Sequence, residues 1–455
     1  MSILSILNQG TLGMAANQAA SQVTSQNITN AAAEGYVRRA AETRIQNGSN
    51  GQATVRRVVD PFVEKRLLNA HSSNGQASAE RLALDPLDVA FAESEGGLGS
   101  ALDAFMASLQ ELANRPSDLA MREQVLGRAG QLQAAFGNVA ATISEARTDA
   151  NLRIENGVAE VNTRVQQIGA LGREIVALEV GGQEASELRD QRDGLLRELS
   201  ERVPVSVIEH AGGGVSVLLG GSQSLVSADG SVSELATVRD TSGNVQVTKV
   251  SAGQTMDVSN LIGSGAIGGL LRARDGALSD MATQVDRLAY DVTEAYNAVH
   301  VGGVGLDGVG GRNLFEPQGQ ISGAAAAFAV SADVAGNPEA LATASDASSL
   351  PGGNQVALDL AGLASAPLAL GGQTVSEALA SLVGRAGMAV QTASQAESFA
   401  SGALTQISTL HDSISGVSTD EEMVALMRFQ RAYEASIRVI QVADEMFSQL
   451  LELKR

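Results

Sequence analysis

The chain has 455 residues, 44% of them apolar but only 3% aromatic, with 49 Gly, no Cys and a formal net charge of −20. The length suits about two to four domains, and many small residues with few aromatics favour thin helical bundles over one thick core. The acidic balance argues against nucleic acid and against an anionic membrane surface, while the lack of Cys excludes disulfides, thiol chemistry and Cys-ligated metals.

Residues 1–34 read as an Ala-rich helix ending near Gly35, with a short seam through Leu12, Ala16, Ala19 and Val23. The first basic residue is Arg38, so the positively charged start of a cleaved secretory signal is missing, and no apolar run reaches the length of a membrane span. Export, if it occurs, is expected by a route without such a signal. A hairpin is expected next: a strand at Thr43–Ile45, turn signals at Asn47-Gly48 and Asn50-Gly51, and a return strand at Ala53–Val59. Asp60-Pro61 suits a helix start, since Pro is tolerated at the first helical position. A second helical region is expected over roughly 76–115, stopped by Pro116.

The longest helical seam runs from Leu132 through Phe136, Ile143, Ile154, Val165 and Ile175 to Leu178. At 1.5 Å per residue it predicts a rod on the order of 70 Å long, ended by Gly181-Gly182. A shorter helix, ASELRDQRDGLLRELSERV, stops at Pro204. Apolar alternation at Val205/Val207, Val215/Val217 and Val245/Val247 then marks a small β domain, inserted between helices that could pair without it. Helices resume near residue 276 with a heptad through Leu278, Met281, Val285, Leu288, Val292, Ala295 and Val299. Residues 301–370 read as loop-rich, and a long Ala-rich helix is expected over 375–414. The last stretch places Leu426, Phe429, Tyr433, Ile437, Ile440, Ala443, Phe447 and Leu450 at steps of three and four, a coiled-coil seam. Neither terminal stripe can be buried by its own helix. Each needs the other terminus, or the termini of neighbouring copies.

These elements predict a mainly α fold with a small inserted β domain: an elongated antiparallel helical bundle or coiled coil whose N- and C-terminal helices pair. The expected parts are a terminal assembly domain (1–35 and 416–455), a helical rod (36–203 and 264–415) with a hairpin near 40–60, and the β domain (204–263).

No catalytic, cofactor or metal residues are assigned. The four His are scattered without ligand spacing. Gly303-x-Gly305-x-x-Gly308 has the letters of a dinucleotide loop, but a helix precedes it and irregular chain follows, so it is expected to be a flexible loop. The alternating charges of RDQRD (Arg189, Asp190, Arg192, Asp193) are expected to form helix-surface or inter-helix ion pairs. Asp420, Glu421 and Glu422 complement a helix N-terminus.

The segment LGMAANQAASQVTSQNITNAAAEGYVRR (Leu12 to Arg39) resembles the axial proteins of the bacterial flagellum, which share a small-residue helix, Asn-Ile-x-Asn (Asn27 to Asn30) and Gly-Tyr (Gly35-Tyr36) before a basic residue. LRDQRDGLLRELSERVPVSV (188–207), the 265–315 segment and SGVSTDEEMVALMRFQRAYEASIRVIQVADEMFSQLL (415–451) are similar to the hook-associated protein 1 family in particular. The β region is shorter than in some of its members. The resemblance implies a structural subunit at the hook–filament junction. It would be exported unfolded through the flagellar type III apparatus, polymerise on the hook tip and be extracellular. Implied partners are further copies, the hook protein, hook-associated protein 3 and an export chaperone on the C-terminal helix. Nucleic acid, membrane insertion and cofactors are not implied. The candidate assembly residues are Leu12, Ala16, Ala19, Val23, Asn27, Asn30, Tyr36, Leu426, Phe429, Tyr433, Ile437, Ile440, Phe447 and Leu450. The alternatives are another axial protein, such as hook-associated protein 3 or a flagellin-like chain, or a surface adhesive protein using the β domain.

Overall fold

The structure, a computed structural model, describes residues 2–33, 35–46, 49–92, 96–180, 184–251, 254–367 and 372–452. Among these residues helices dominate, with three small antiparallel sheets. The turn expected at Asn47-Gly48 and the helix stop at Gly181-Gly182 lie outside the described residues. The chain divides into two units. The first holds Met1–Gln76, Gly157–Ala266 and Phe399–Arg455; the second holds Ala77–Asn156 and Ile267–Ser398.

The first unit begins with α1 (Ile3–Thr29), capped by the Ser2 hydroxyl, which accepts from the Ser5 amide. Strands β1 (Arg39–Gln46) and β2 (Ser49–Arg57) follow as an antiparallel hairpin. Helix α2 (Pro61–Ala90) starts where Asp60-Pro61 predicts: the Asp60 carboxylate accepts from the Phe62 amide at 2.8 Å. It then runs unbroken through the expected gap and past Pro86. Only α3 (Leu98–Asn114) is separate from it. The break was misplaced because 68–76 is rich in Ser, Asn and Gly, which disfavour a free helix. Here Leu67, Leu68 and Ser72 are buried, and packing overrides propensity.

Helix α4 (Leu119–Val180) is the long seam of the sequence, and its predicted residues from Leu132 to Ile168 are buried, as is Ile175. Helix α5 (Ser186–Arg202) leads into β3 (Val205–Glu209), β4 (Val215–Leu219) and β5 (Gln223–Val226), one antiparallel sheet. A second sheet holds β6 (Leu235–Arg239), β7 (Val245–Ser251) and β8 (Gln254–Asp257). This β region is tied to α4 and α5. The Asn162 amide group accepts from the Leu235 amide and donates to its carbonyl, both at 2.8 Å. Arg173 donates to the Gly230 carbonyl, and the fully buried Arg192 to the Gly213 carbonyl. The β region therefore supplies hydrogen-bond partners to side chains of α4 and α5.

In the second unit, α6 (Gly265–Asp275, its first two residues in the first unit) is followed by α7 (Ala277–His300). The buried stripe of α7 runs through Val285, Leu288, Val292, Tyr296 and His300. It leaves the predicted heptad after Val292, as a straight helix of 3.6 residues per turn must. Tyr296 joins Phe105 and Phe315 in an aromatic core, with centroids 5.3 to 6.2 Å apart. The Gly303–Gly308 loop, expected to be flexible, is instead a bonded turn. The Val304 amide donates to the Ala344 carbonyl, and a Cβ on Gly303 would lie 2.9 Å from both Ala342 and Val356. Two short helices, α8 (Ala324–Ala327) and α9 (Gln355–Gly362), interrupt the loop-rich stretch. Helix α10 (Val375–Ser415) returns the chain to the first unit, which closes with α11 (Thr419–Glu452).

Candidate functional site

Helices α1 and α11 pack against each other in antiparallel register. Gly10 faces Ile440, Gly13 faces Ser436 and Asn27 reaches Glu422. The approach is close because α1 presents small residues: a Cβ on Gly10 would sit 2.8 Å from Ile440 Cγ1, so any larger side chain must displace that isoleucine. Along α1, Ala20, Val23 and Asn27 are buried, while Leu12, Ala16 and Ala19 are half-buried. Along α11, Ala443 is buried, and Leu426, Phe429, Tyr433, Ile437 and Ile440 are half-buried. Phe447 and Leu450 lie at the far end and are exposed.

The opposite side of α11 is also apolar. Val439, Val442 and Met446 step by three and four residues on the side away from Ile437 and Ile440. They are 44%, 55% and 45% exposed; Val424, on the same side nearer the start of the helix and beyond Arg428 and Arg431, is 63% exposed. In the sequence this stripe is less plain than the first, because charged residues such as Arg438 and Glu445 interleave it.

A polar joint closes the base of the pair. Asn27 is buried, and all four of its amide hydrogen-bonding positions are used. Its Oδ1 accepts from the Tyr36 hydroxyl at 2.9 Å and from the Arg39 amide at 3.1 Å; its Nδ2 donates to the Arg39 carbonyl at 2.8 Å and to Glu422 Oε2 at 3.0 Å. Glu422 is buried too, and its other oxygen accepts from Arg38 Nε at 2.8 Å. Arg39 continues the network to Asp190 at 3.2 Å, and Arg57 joins Asp190 and Asp193, each at 2.7 Å. Burial raises the Asp190 carboxyl above its usual range despite the Arg57 and Arg39 charges beside it. The RDQRD carboxylates thus hold the hairpin to α5 as inter-element ion pairs. Asn30 ends α1, donating to the Gln26 carbonyl of its own last turn.

A second charged cluster ties α2 to α10 within the first unit. Glu64 Oε1 lies 2.8 Å from His411 Nε2 and 3.2 Å from Arg197, and Asp412 lies 3.1 Å from His411 Nδ1. The hydrogen bond to Glu64 raises the His411 pKa above 6.5, against its burial. Nearby His71 is shifted the other way, chiefly by burial. Charged His411 therefore stabilises the fold fully below its unfolded pKa of about 6.5, and that contribution is lost as pH rises through the raised folded value. Thermal melts of the parent and a His411→Gln variant should differ most at pH 6 and converge toward pH 9. A gap that stays constant with pH would contradict a charged His411.

A cleft of about 860 Å³ in the same unit is walled by Leu68, Leu196, Val205 and Val207. Several of the charges around it are engaged with one another: Arg189 with Glu179 at 2.7 Å, and Glu64 with Arg197 and His411. No group of three or more His, Asp or Glu able to hold a metal occurs among the described residues. No helix among them is long and apolar enough to cross a membrane.

Residues 84–315, more than half of the chain, match the family model described as the flagellar hook-associated protein FlgK helical domain. The chain belongs to the FlgK family. It is accordingly a flagellar hook-associated structural protein. Residues 411–453 match the C-terminal model of the flagellar basal body rod FlgEFG proteins, a span that includes all of α11. Flagellar hook-associated protein 1 of Bacillus subtilis is 27% identical over 96% of this chain and 96% of its own length. The protein of the same name from Escherichia coli K12 is 25% identical over 99% of this chain and all of the relative. The structure of the flagellar hook junction protein FlgK from Burkholderia pseudomallei is similar at a TM-score of 0.51 and 26% identity, over 55% of this chain and 46% of that one. The FlgK resemblance of the sequence and the mainly α fold with a small β insertion both stand.

Within this FlgK-family chain, the structure brings Asn27 and Tyr36 together and packs the helix that carries Leu12 to Val23 against α11. It also adds residues that sequence reasoning missed. Glu422 read only as a dipole-complementing carboxylate, because its buried partner Asn27 lies 395 positions away. Gly10 lies outside the apolar seam of the sequence, and it makes the close approach.

Proposed function

We propose that this chain is a structural subunit of the hook–filament junction, exported through the flagellar type III apparatus and polymerised on the hook tip. It acts without catalysis and without a cofactor. Its partners are further copies of itself, the hook protein below, hook-associated protein 3 above and, before assembly, an export chaperone. The terminal parts, 1–35 and 416–455, form the assembly domain, and 204–263 is an outer β insertion. The observation that carries this reading is the two-sided α11. One apolar stripe covers α1, and the other stays uncovered in the single chain, in a protein whose relatives over nearly their full length are named hook-associated protein 1. An exposed apolar stripe on a chain of net charge −20 marks an interaction surface.

The stripe is the surface we assign to neighbouring subunits and, in the cytoplasm, to the chaperone. Electron microscopy of intact flagella, with gold on an antibody to this chain, tests the location. Label confined to the hook–filament boundary is expected. Label distributed along the filament would favour a flagellin-like role, and label elsewhere on the cell surface an adhesive one.

A further inference from the structure

The apolar seam between α1 and α11 does not by itself define one alignment. Both stripes repeat at steps of three and four, and α1 contributes mostly Ala and Gly. Sliding one helix by a heptad re-mates the stripes with similar apolar contact, because both repeats are close to 3.5 residues. Such a slip moves every residue of α11 by about 10 Å along the pair.

The buried polar groups do not survive that slip. In the observed alignment Asn27 and Glu422 satisfy each other, and Asn27 also satisfies the backbone of Arg39. Moved by seven residues one way, Asn27 faces Phe429; moved the other way, Glu422 faces Ala20. Either slip parts the Glu422 carboxylate from both Asn27 and Arg38 and leaves the Asn27 amide one bond short, its bonds to Tyr36 and Arg39 remaining. Leaving such groups unpaired costs more than the pair gains when made. Single buried polar residues fix coiled-coil register on this principle.

We propose that Asn27 and Glu422 set the register of the α1/α11 pair, while the apolar seam supplies most of its adhesion. Arg38 holds the outer oxygen of Glu422 and so fixes the carboxylate in the orientation that Asn27 reads. The packing of Gly10 against Ile440 is the competing determinant, and the test separates the two. The register also places the outer stripe of α11 at one height relative to the rest of the chain; this last consequence alone rests on the assembly reading.

The chain has no cysteine, so engineered pairs report alignment cleanly. Three full-length proteins would carry Gly13→Cys with Ser436→Cys for the observed register, or Gly13→Cys with Ala443→Cys or Phe429→Cys for the slipped ones. Each is oxidised with glutathione disulfide, and the cross-linked fraction is read on a denaturing gel. In the parent background only the Gly13→Cys/Ser436→Cys pair should close. Adding Asn27→Leu and Glu422→Leu should raise the slipped cross-links by about tenfold or more relative to the observed one, the factor that one unpaired buried polar group imposes on an equilibrium. Glu422→Gln, which keeps an acceptor for Asn27, should stay in the parent register.

A double-leucine protein that closes only the parent pair would show that Gly10 and Ile440 set the register, and would overturn the proposal. So would a double-leucine protein that closes none of the pairs, since the polar residues would then be holding the helices together rather than choosing their alignment. Slipped cross-links in the parent background would overturn it as well. The readout is taken on the isolated chain, so it stands apart from where the chain sits on the flagellum.

Discussion

Ile440→Asp should leave cells with hooks and no filaments. Ile440 lies mid-seam, with its Cγ1 2.8 Å from where a Cβ on Gly10 would be, so a carboxylate there is pressed against the backbone of α1. An unsatisfied polar group in such a place costs roughly 1–3 kcal/mol, and an ionised one more. The partner it loses cannot stand alone: α1 is interrupted by Gly10 and Gly13 and is marginal as an isolated helix. The purified variant should therefore lose hydrogen-exchange protection over residues 5–30, while the aromatic core around Phe105, Tyr296 and Phe315 keeps its melting behaviour. The sequence left the cover of this seam open between the other terminus and the termini of neighbouring copies. The structure fills it with the chain's own N-terminal helix, which changes the expected behaviour of the monomer. Filaments at normal length on the variant strain would remove the pair from the assembly account.

Val442→Asp combined with Met446→Asp should also abolish filaments, but with an unperturbed monomer. Both side chains are about half exposed in the chain, so the substitutions break little within it; surface changes of this kind move stability by about 0.5 kcal/mol or less. Between subunits the cost recurs at each contact, because a carboxylate replaces an apolar group where a neighbour would exclude water. The two variants dissect α11: the inner one fails by opening the pair, the outer one by preventing the pair from being covered. Circular dichroism and thermal melts separate them before any cell is examined. If the outer variant melts early, Val442 and Met446 belong to the fold rather than to an interface.

Much of the helical architecture was legible because it rests on periodicity. The seams of α4 and α11 and the stop at Pro204 follow from apolar spacing and from Pro chemistry. What escaped was decided by long-range contacts. Helix α2 continues across a Ser- and Asn-rich stretch because Leu67, Leu68 and Ser72 are buried there. The glycine loop at 303–311 is ordered by Ala342, Ala344 and Val356, which lie tens of residues downstream. In the candidate site, spacing located the apolar residues, and the motif Asn27/Tyr36 stood out without its reason. That reason is a hydrogen-bond network spanning α1, the hairpin and α11, in which Asn27 and Glu422 are 395 positions apart. No local pattern encodes such a partner. The outer stripe was obscured in the same way, since it becomes visible only once α1 is seen to occupy the other face.

The central claim is that this outer stripe of α11 is exposed in the free chain and covered between subunits of the assembled flagellum. A Val442→Cys protein, its thiol the only one in the chain, measures this directly through its rate of reaction with a maleimide. Rapid labelling of the purified chain and strong protection in isolated, motile flagella is the predicted result. Equal labelling in both would contradict the claim.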